Sequence, residues 1–429
     1  MNGENEKDKF EVAVIGAGPA GMMAAGKAAE SGAKVILIEK NKKPGRKLLM
    51  TGKGRCNITN AEFNLRKLVE NYGSNGKFLF HAFFIFGPKK VIDFFEKWGL
   101  KTKTERGNRV FPLSDRAEDV LNTLLDYLRK NGVKILTDSK VIAVDSQNRR
   151  IEKIIIKNNK GKKGIRAKNY IFATGGKSYP STGSDGDGYI WTKNLGHRVE
   201  KISPALAPIR IKEGWVKNLQ GLSLKNVEIS AKIGDKKQFS QFGECVFTHF
   251  GISGPIILDI SKRVGKLLTD GQKVKLSLDL KPALDFAKLD KRIQRDFIKY
   301  RNKSFKNCLN DLLPSKMIPV ILKLSGLDLE KKANSITREE RQGLVKLLKN
   351  LEMTATGVLG FNFAIVSSGG VSLKEIDDKT MKSKIIDNLF FAGEIIDVDG
   401  PTGGYNLQIC WSTGYLAGES AAQSAKNAV

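Results

Sequence analysis

The chain has 429 residues, 41% of them hydrophobic, enough for two or three domains around substantial cores. No run approaches the roughly 18 apolar residues of a membrane-spanning helix. The polar opening MNGENEKDKF lacks the apolar stretch of a secretory signal, so a short disordered lead and a cytoplasmic location are expected. Lys and Arg total 73 against 45 Asp and Glu, a net charge of +28. That balance favours a polyanionic partner unless it reflects an organism-wide lysine bias.

Residues 12–39 read VAVIGAGPAGMMAAGKAAESGAKVILIE. An apolar strand ends at Ile15, and Gly16, Gly18 and Gly21 follow at GxGxxG spacing, with Pro19 and Ala20 inside the motif. Gly16 permits a tight strand-to-helix turn, Gly18 lets a pyrophosphate approach the backbone, and Gly21 lets the helix pack close to the strand. The helix start offers unpaired N–H groups and a positive dipole end. A second apolar run closes on Glu39, placed to bind the hydroxyls of an adenosine ribose, with Lys40 beside it. A carboxylate there disfavours a 2′-phosphate, leaving FAD or NAD as the ligand.

The loop Pro44–Asn60 is rich in Gly and cations. Its backbone N–H groups, with Arg46 and Lys47, are placed to face a pyrophosphate. Gly54, Arg55, Cys56 and Asn57 are placed to face a flavin ring or substrate. Taken alone, the loop also reads as a solvated basic turn. Residues 64–130 are predicted helical with a pause near 107–114. Strands are expected at Lys134–Leu136, at Val141–Asp145, and as an Ile151–Lys157 and Arg166–Ala173 pair joined by NNKGKKG. Val141 is a cofactor-contact candidate. The last of these strands runs into Ala173-Thr174-Gly175-Gly176, a second nucleotide-fold signature.

Residues 199–281 alternate apolar and polar and predict an antiparallel β domain. Residues 282–352 predict helices, with an N-cap at Ser335 or Thr337. From residue 353 the chain is glycine-rich again. It ends with strand Leu389–Ala392, a loop through Gly404, and a helix of about 15 residues. The expected architecture is α/β: a Rossmann-type nucleotide domain in two segments, 1–198 and 353–429, interrupted by the insertions 199–281 and 282–352.

The ending mirrors the opening. Gly393-Glu394 follows the last strand, and Gly403 and Gly404 open the terminal helix at Tyr405, Asn406 and Leu407. An acidic residue there suits the ribityl–phosphate region, and the helix start suits the pyrimidine side of a flavin. A nicotinamide-only fold needs no such return, so the pairing selects FAD over NAD. Cys56, Cys245, Cys308 and Cys410 form no CxxC, and His81, His197 and His249 are scattered. No metal site or dithiol relay is expected.

These stretches resemble the YhiN/BaiN-like conserved flavoproteins, also called aminoacetone-oxidase-like. The resemblance rests on GAGPAG at 16–21, GRKLLMTGKGRCNITN at 45–60, ATGGKSYPSTGSDGDGY at 173–189, GECVFTHFGISGP at 243–255, SSGGVSLKEI at 367–376 and FAGEIIDVDGPTGGYNLQICWSTGYLAG at 391–418. Lys53 departs from the small residue many members carry. The resemblance implies an FAD domain of the glutathione-reductase type, with a β-barrel-like and a small helical domain inserted, and FAD held without a covalent bond. It implies NAD(P)H as transient electron donor. Dihydrouridine formation in ribosomal RNA is linked to some members and reduction of steroid-like molecules to others.

Three readings of function follow. In the first, hydride goes to a uracil C6 of ribosomal RNA and an acid protonates C5, with Cys56 the first candidate and the His249 region the second. The basic stretch 288–306, interleaved with Phe297, Tyr300 and Phe305, is then the RNA contact. In the second, a small unsaturated or amine molecule enters an apolar pocket lined by Phe247, Phe250, Phe361 and Tyr405. In the third, the protein is a non-catalytic, flavin-bearing RNA binder. No second GxGxxG occurs in residues 199–352, so NAD(P)H must dock transiently.

Overall fold

The computed structural model describes residues 10–427, so the expected lead at residues 1–9 lies outside the described residues. The chain divides into two compact units: residues up to Pro204 together with those from Ala364 on, and residues Ala205–Phe363.

The first unit is built on a five-stranded parallel sheet in the order Leu389–Phe391, Ala167–Phe172, Phe10–Ile15, Val35–Ile38, Lys134–Leu136. Val12–Val14 and Val35–Ile38 are buried throughout, as parallel strands covered on both faces require. The strands end on one rung: Ile15 pairs with Ile38 and with Phe172, which pairs with Phe391. The loops that leave at Gly16, Glu39, Ala173 and Ala392 therefore start side by side.

Two helices of the first unit, one from each of its segments, pack against each other. Pro19–Glu30 follows the first strand, and Tyr405–Asn427 is the last described helix, longer than expected at 23 residues. They pack through small residues. A Cβ on Gly414 would stand 2.5 Å from the Ala20 carbonyl oxygen, and one on Gly418 would stand 2.3 Å from that of Ala24.

One expected pairing differs. Arg150–Asn158 pairs with Gly161–Ile165, not with the strand ending at Ala173. Ala167–Phe172, buried from Asn169 to Phe172, enters the parallel sheet instead.

The second unit holds a closed six-stranded barrel, with strands Ile209–Ile211, Gly251–Ser253, Lys236–Thr248, Ser223–Ile233, Val274–Asp279 and Leu351–Val358. The last strand closes onto the first. The division expected from sequence assigns this strand's residues from 353 onward to the nucleotide domain, whereas the structure puts them in the barrel. Helices Phe286–Lys299, Ile318–Ser325 and Arg338–Lys349 share one hydrophobic core with the barrel, Leu289 and Phe305 lying in the same cluster as Leu276 and Met353. The expected β and helical insertions therefore form a single unit. Thr337 caps the last of these helices through a reciprocal pair with Glu340, as its S/T-x-x-E pattern predicts.

Candidate functional site

The loop after the first strand has the geometry its glycines call for. Gly16 lies at φ 101°, and a Cβ there would stand 2.5 Å from the Ala173 carbonyl oxygen. A Cβ on Gly21 would stand 1.8 Å from the Gly16 carbonyl oxygen, so that position admits no side chain. Around Gly18 nothing lies within 4 Å of where a Cβ would be. Helix Pro19–Glu30 starts there with no side chain capping it and with Pro in its first turn. An open approach to a positive helix end fits a pyrophosphate.

Glu39 is buried at the end of the second strand. Its Oε2 accepts from the Ala17 N–H (2.9 Å), and its Oε1 accepts from the Asn41 backbone N–H (2.8 Å) and side-chain Nδ2 (2.7 Å). A carboxylate offers about four acceptor positions, so one remains for a ribose hydroxyl. The Glu39 carbonyl accepts from the Ser139 N–H (3.0 Å), which brings the strand carrying the buried Val141 to this end of the site. Lys40 pairs with Asp185 (2.6 Å). Arg46, exposed, donates to Asn41 Oδ1 (3.0 Å).

Lys47 holds Glu394. Its Nζ lies 2.8 Å from Glu394 Oε2 and 2.7 Å from Ser178 Oγ. Glu394 Oε1 accepts from the Ser367 N–H (2.7 Å) and from Ser178 Oγ (3.0 Å). A Cβ on Gly176 would stand 2.6 Å from that same oxygen, and Gly175 sits at φ 73° beside Thr174. Gly393 lies at φ 76°, where a Cβ would be 2.6 Å from Ala20 Cβ. The expectation that Lys47 faces a pyrophosphate is replaced by a salt bridge joining the second loop to the last.

The terminal loop rests on residues 57–60. With its amide oriented to satisfy every neighbour, Asn57 accepts from the Gly404 N–H (3.0 Å) and donates to the Thr59 (3.0 Å) and Val110 (3.1 Å) carbonyls. Asn60 Nδ2 donates to the Gly403 and Gly107 carbonyls, each at 3.1 Å. Gly404 cannot carry a side chain, because a Cβ would stand 2.3 Å from the Thr59 carbonyl carbon. Asn406 ties Gly400 and Pro401, and the Tyr72 hydroxyl donates to the Tyr405 carbonyl (3.0 Å). Residues 401–407, Leu407 included, stay half-exposed between buried flanks. Asn57, in sequence a catalytic candidate beside Cys56 and His249, spends its amide on holding this loop.

The expected acids take other places. Cys56 is fully buried at φ 60°, and burial pushes its thiol up to about 12. A protonated thiol shut inside a core is a packing group. His249 belongs to the barrel unit, exposed and edge-on to Phe250 (4.8 Å). Phe247 is buried in the barrel core. Arg55 lies over the Phe111 ring (4.1 Å) and pairs with Asp115 (2.6 Å) and Glu105. These contacts hold both carboxyls below their ordinary range, Glu105 through Arg55 and Asp115 through Lys103 and then Arg55. Gly54 next to it sits at φ 85° in open space.

The sequence does not single out Asn41, Ser178, Ser367, Asn60 or Cys410. Cys410 projects from the terminal helix with its Sγ 3.5 Å from where a Gly393 Cβ would stand. Only the turn-forming habit of Asn and Ser next to glycine runs hinted at the first four. The accessible glycine turns, two helix starts and a buried carboxylate fit an extended dinucleotide such as FAD.

Comparison with known proteins agrees. The family profile described as HI0933-like protein Rossmann domain matches residues 10–420. The chain is 33% identical over 414 residues to the 3-dehydro-bile acid delta(4,6)-reductase of Clostridium scindens, spanning 96% of this chain and 99% of that protein. It is 30% identical over 416 residues to the ribosomal RNA dihydrouridine synthase of Escherichia coli, spanning 96% and 98%. Among solved structures it resembles 3-ketosteroid-delta4-(5alpha)-dehydrogenase from Rhodococcus jostii RHA1, with TM-score 0.54 and 16% identity over 96% of this chain and 97% of that one. That last likeness speaks to the fold alone.

Proposed function

The chain belongs to the HI0933-like Rossmann family, a family of FAD-dependent oxidoreductases, and on that premise we propose that it reduces a carbon–carbon double bond conjugated to a carbonyl, in the uracil ring of ribosomal RNA. Uridine, NAD(P)H and a proton go to dihydrouridine and NAD(P)⁺. FAD supplies the hydride-transfer chemistry when bound. The chain's residues bind and orient it. Gly16, Gly18 and the start of helix Pro19–Glu30 take the pyrophosphate, and Glu39 takes the ribose. Gly393 and the Lys47–Glu394 pair border the ribityl–phosphate region. Gly403–Leu407 present a helix start to the pyrimidine side, where its dipole favours negative charge.

The names of the two curated relatives share one chemistry. A 3-oxo steroid unsaturated at positions 4 and 6 and a uracil ring both carry an alkene conjugated to a carbonyl. The observation that favours RNA is the net charge of +28. Helix Phe286–Lys299 presents Lys288, Lys291, Arg295 and Lys299 to solvent, followed by Arg301, Lys303 and Lys306. Three of these are ion-paired: Lys288 with Asp285, Lys299 with Asp311 and Lys306 with Glu330. The aromatic residues expected among them do not face outward. Phe297 and Phe305 are buried edge to face, and the Tyr300 hydroxyl donates to Asp311 (2.7 Å). The segment reads as a phosphate-contacting face.

Transient docking of NAD(P)H accords with a second unit whose barrel pairings, among the described residues, are all antiparallel. Anaerobic titration of the purified yellow protein with NADH and NADPH, then with ribosomal RNA fragments, tests the proposal. Flavin bleached by either nucleotide and restored by RNA, with dihydrouridine in the digest, supports it. Bleached flavin that RNA leaves unchanged, together with normal dihydrouridine in ribosomal RNA from a deletion strain, rejects it.

The higher identity to the bile-acid reductase favours a second reading, a conjugated small-molecule ketone as substrate. Salt separates the two. RNA turnover should fall steeply between about 50 and about 200 mM salt, whereas small-ketone turnover should hold.

A further inference from the structure

The structure points to an aromatic platform for RNA bases in the first unit. Helix Leu65–Glu70, the 3₁₀ turn Gly73–Leu79 and helix Phe80–Ile85 form a cap. Its inner side is buried through Leu68, Val69, Tyr72, Leu79, Ala82 and Phe83. Tyr72 donates to the Tyr405 carbonyl and packs edge-on to its ring (5.9 Å), and Asn75 Nδ2 donates to the Asp397 carbonyl (2.6 Å). The cap therefore braces Asp397 and Tyr405, on either side of the glycines of segment Gly403–Leu407 and its approach, the segment assigned above to the flavin's pyrimidine side.

The outer face of the same cap carries Phe80, 46% exposed, and Phe84, 67% exposed. They stand at i and i+4, neighbours on one helical stripe. Neighbouring exposed phenylalanines offer apolar surface that a partner can cover. Cations frame them. Lys77 is exposed one turn earlier, and Lys90 Nζ donates to the Ile85 carbonyl (2.7 Å) at the end of the Phe80–Ile85 helix. Lys89 is exposed alongside, paired with Asp93. Aromatic faces among cations match unpaired bases on a phosphate backbone, since any base can stack and the lysines meet phosphates. The chain's net charge of +28 favours that occupant over an uncharged apolar one.

We propose that Phe80 and Phe84 stack unpaired bases flanking the target uridine while Lys77 and Lys90 contact their phosphates. This rests on the RNA reading. The test is fluorescence anisotropy of a labelled, U-rich single-stranded RNA with the FAD-loaded full chain. The wild type, F80A/F84A, F80L/F84L and F80W/F84W are compared, with flavin content and melting temperature as folding controls. The alanine and leucine pairs are expected to weaken binding by about tenfold or more, and the tryptophan pair to keep it. Equal affinity for wild type and F80A/F84A overturns the platform and leaves the RNA reading standing. No RNA binding by the wild type overturns both. Leucine binding as well as phenylalanine, or wild-type capture by vesicles of phosphatidylcholine and phosphatidylglycerol that F80A/F84A loses, reassigns the face to apolar or lipid contact and overturns the proposal.

Discussion

Lys47 Nζ and Glu394 Oε2 stand 2.8 Å apart, although 347 residues separate them in sequence. The pair joins the loop after the second strand to the loop after the last strand, at the level where the parallel strands end. Ser178 and the Ser367 N–H complete its hydrogen bonding.

Lys47→Met should destabilise the protein by about 1–3 kcal/mol, because it leaves a largely buried carboxylate without its cation. Adding Glu394→Gln should recover part of the loss, the sign of direct coupling. Thermal melts of the double-mutant cycle check the energy, and flavin release on gel filtration checks cofactor retention. Arg55→Ala, from the same loop, should retain flavin better than Lys47→Met, since Arg55 is engaged by Glu105, Asp115 and Phe111.

The glycines of the first turn should separate into two classes. Gly18→Ala meets open space, so the apo-protein should melt normally while FAD affinity falls by about tenfold or more. Gly21→Ala drives a Cβ into the Gly16 carbonyl and should impair folding whether or not FAD is supplied. Apo melting curves and FAD titrations distinguish them, and a cold-stable Gly18→Ala with wild-type FAD affinity would refute the pyrophosphate assignment.

Cys56 should prove structural. Burial raises its thiol from 9.0 to about 12, so the folded protein keeps this proton where the unfolded chain loses it. Its contribution to stability is therefore complete below pH 9 and is lost as pH rises from 9 toward 12. Cys245, buried in the barrel and raised to about 12, adds a loss of the same sign. Denaturant midpoints should fall over that window, less steeply for Cys56→Ala. The same variant should keep the wild-type pH profile of turnover below pH 9, and a displaced profile would restore Cys56 as a proton donor.

Gly414→Ala and Gly418→Ala should each cost about 1–3 kcal/mol through overpacking, since each Cβ would meet a carbonyl of the first helix. Both should also loosen FAD, because the two helices carry the first and last signature loops. Melting temperature and flavin content measured together test that link.

Much of the cofactor end was legible in sequence because its signals are local. GxGxxG, the apolar runs around it and Glu39 lie within one βαβ unit, where turn chemistry and strand burial act between near neighbours. The period-2 pattern predicted a β insertion, and the structure closes it into a barrel. The assembly across the chain was not legible. No local pattern shows that Lys47 meets Glu394, that Asn57 and Asn60 brace Gly404 and Gly403, or that Leu351–Val358 closes the barrel. Nor does sequence separate Phe297 and Phe305, which are buried, from Phe80 and Phe84, which are exposed. Side-chain chemistry and short-range backbone preference belong to each residue and its neighbours. Burial and long-range partners depend on where the strands and helices finally pack, and that is why the cofactor's handle was readable from the sequence while the cradle around it came only with the fold.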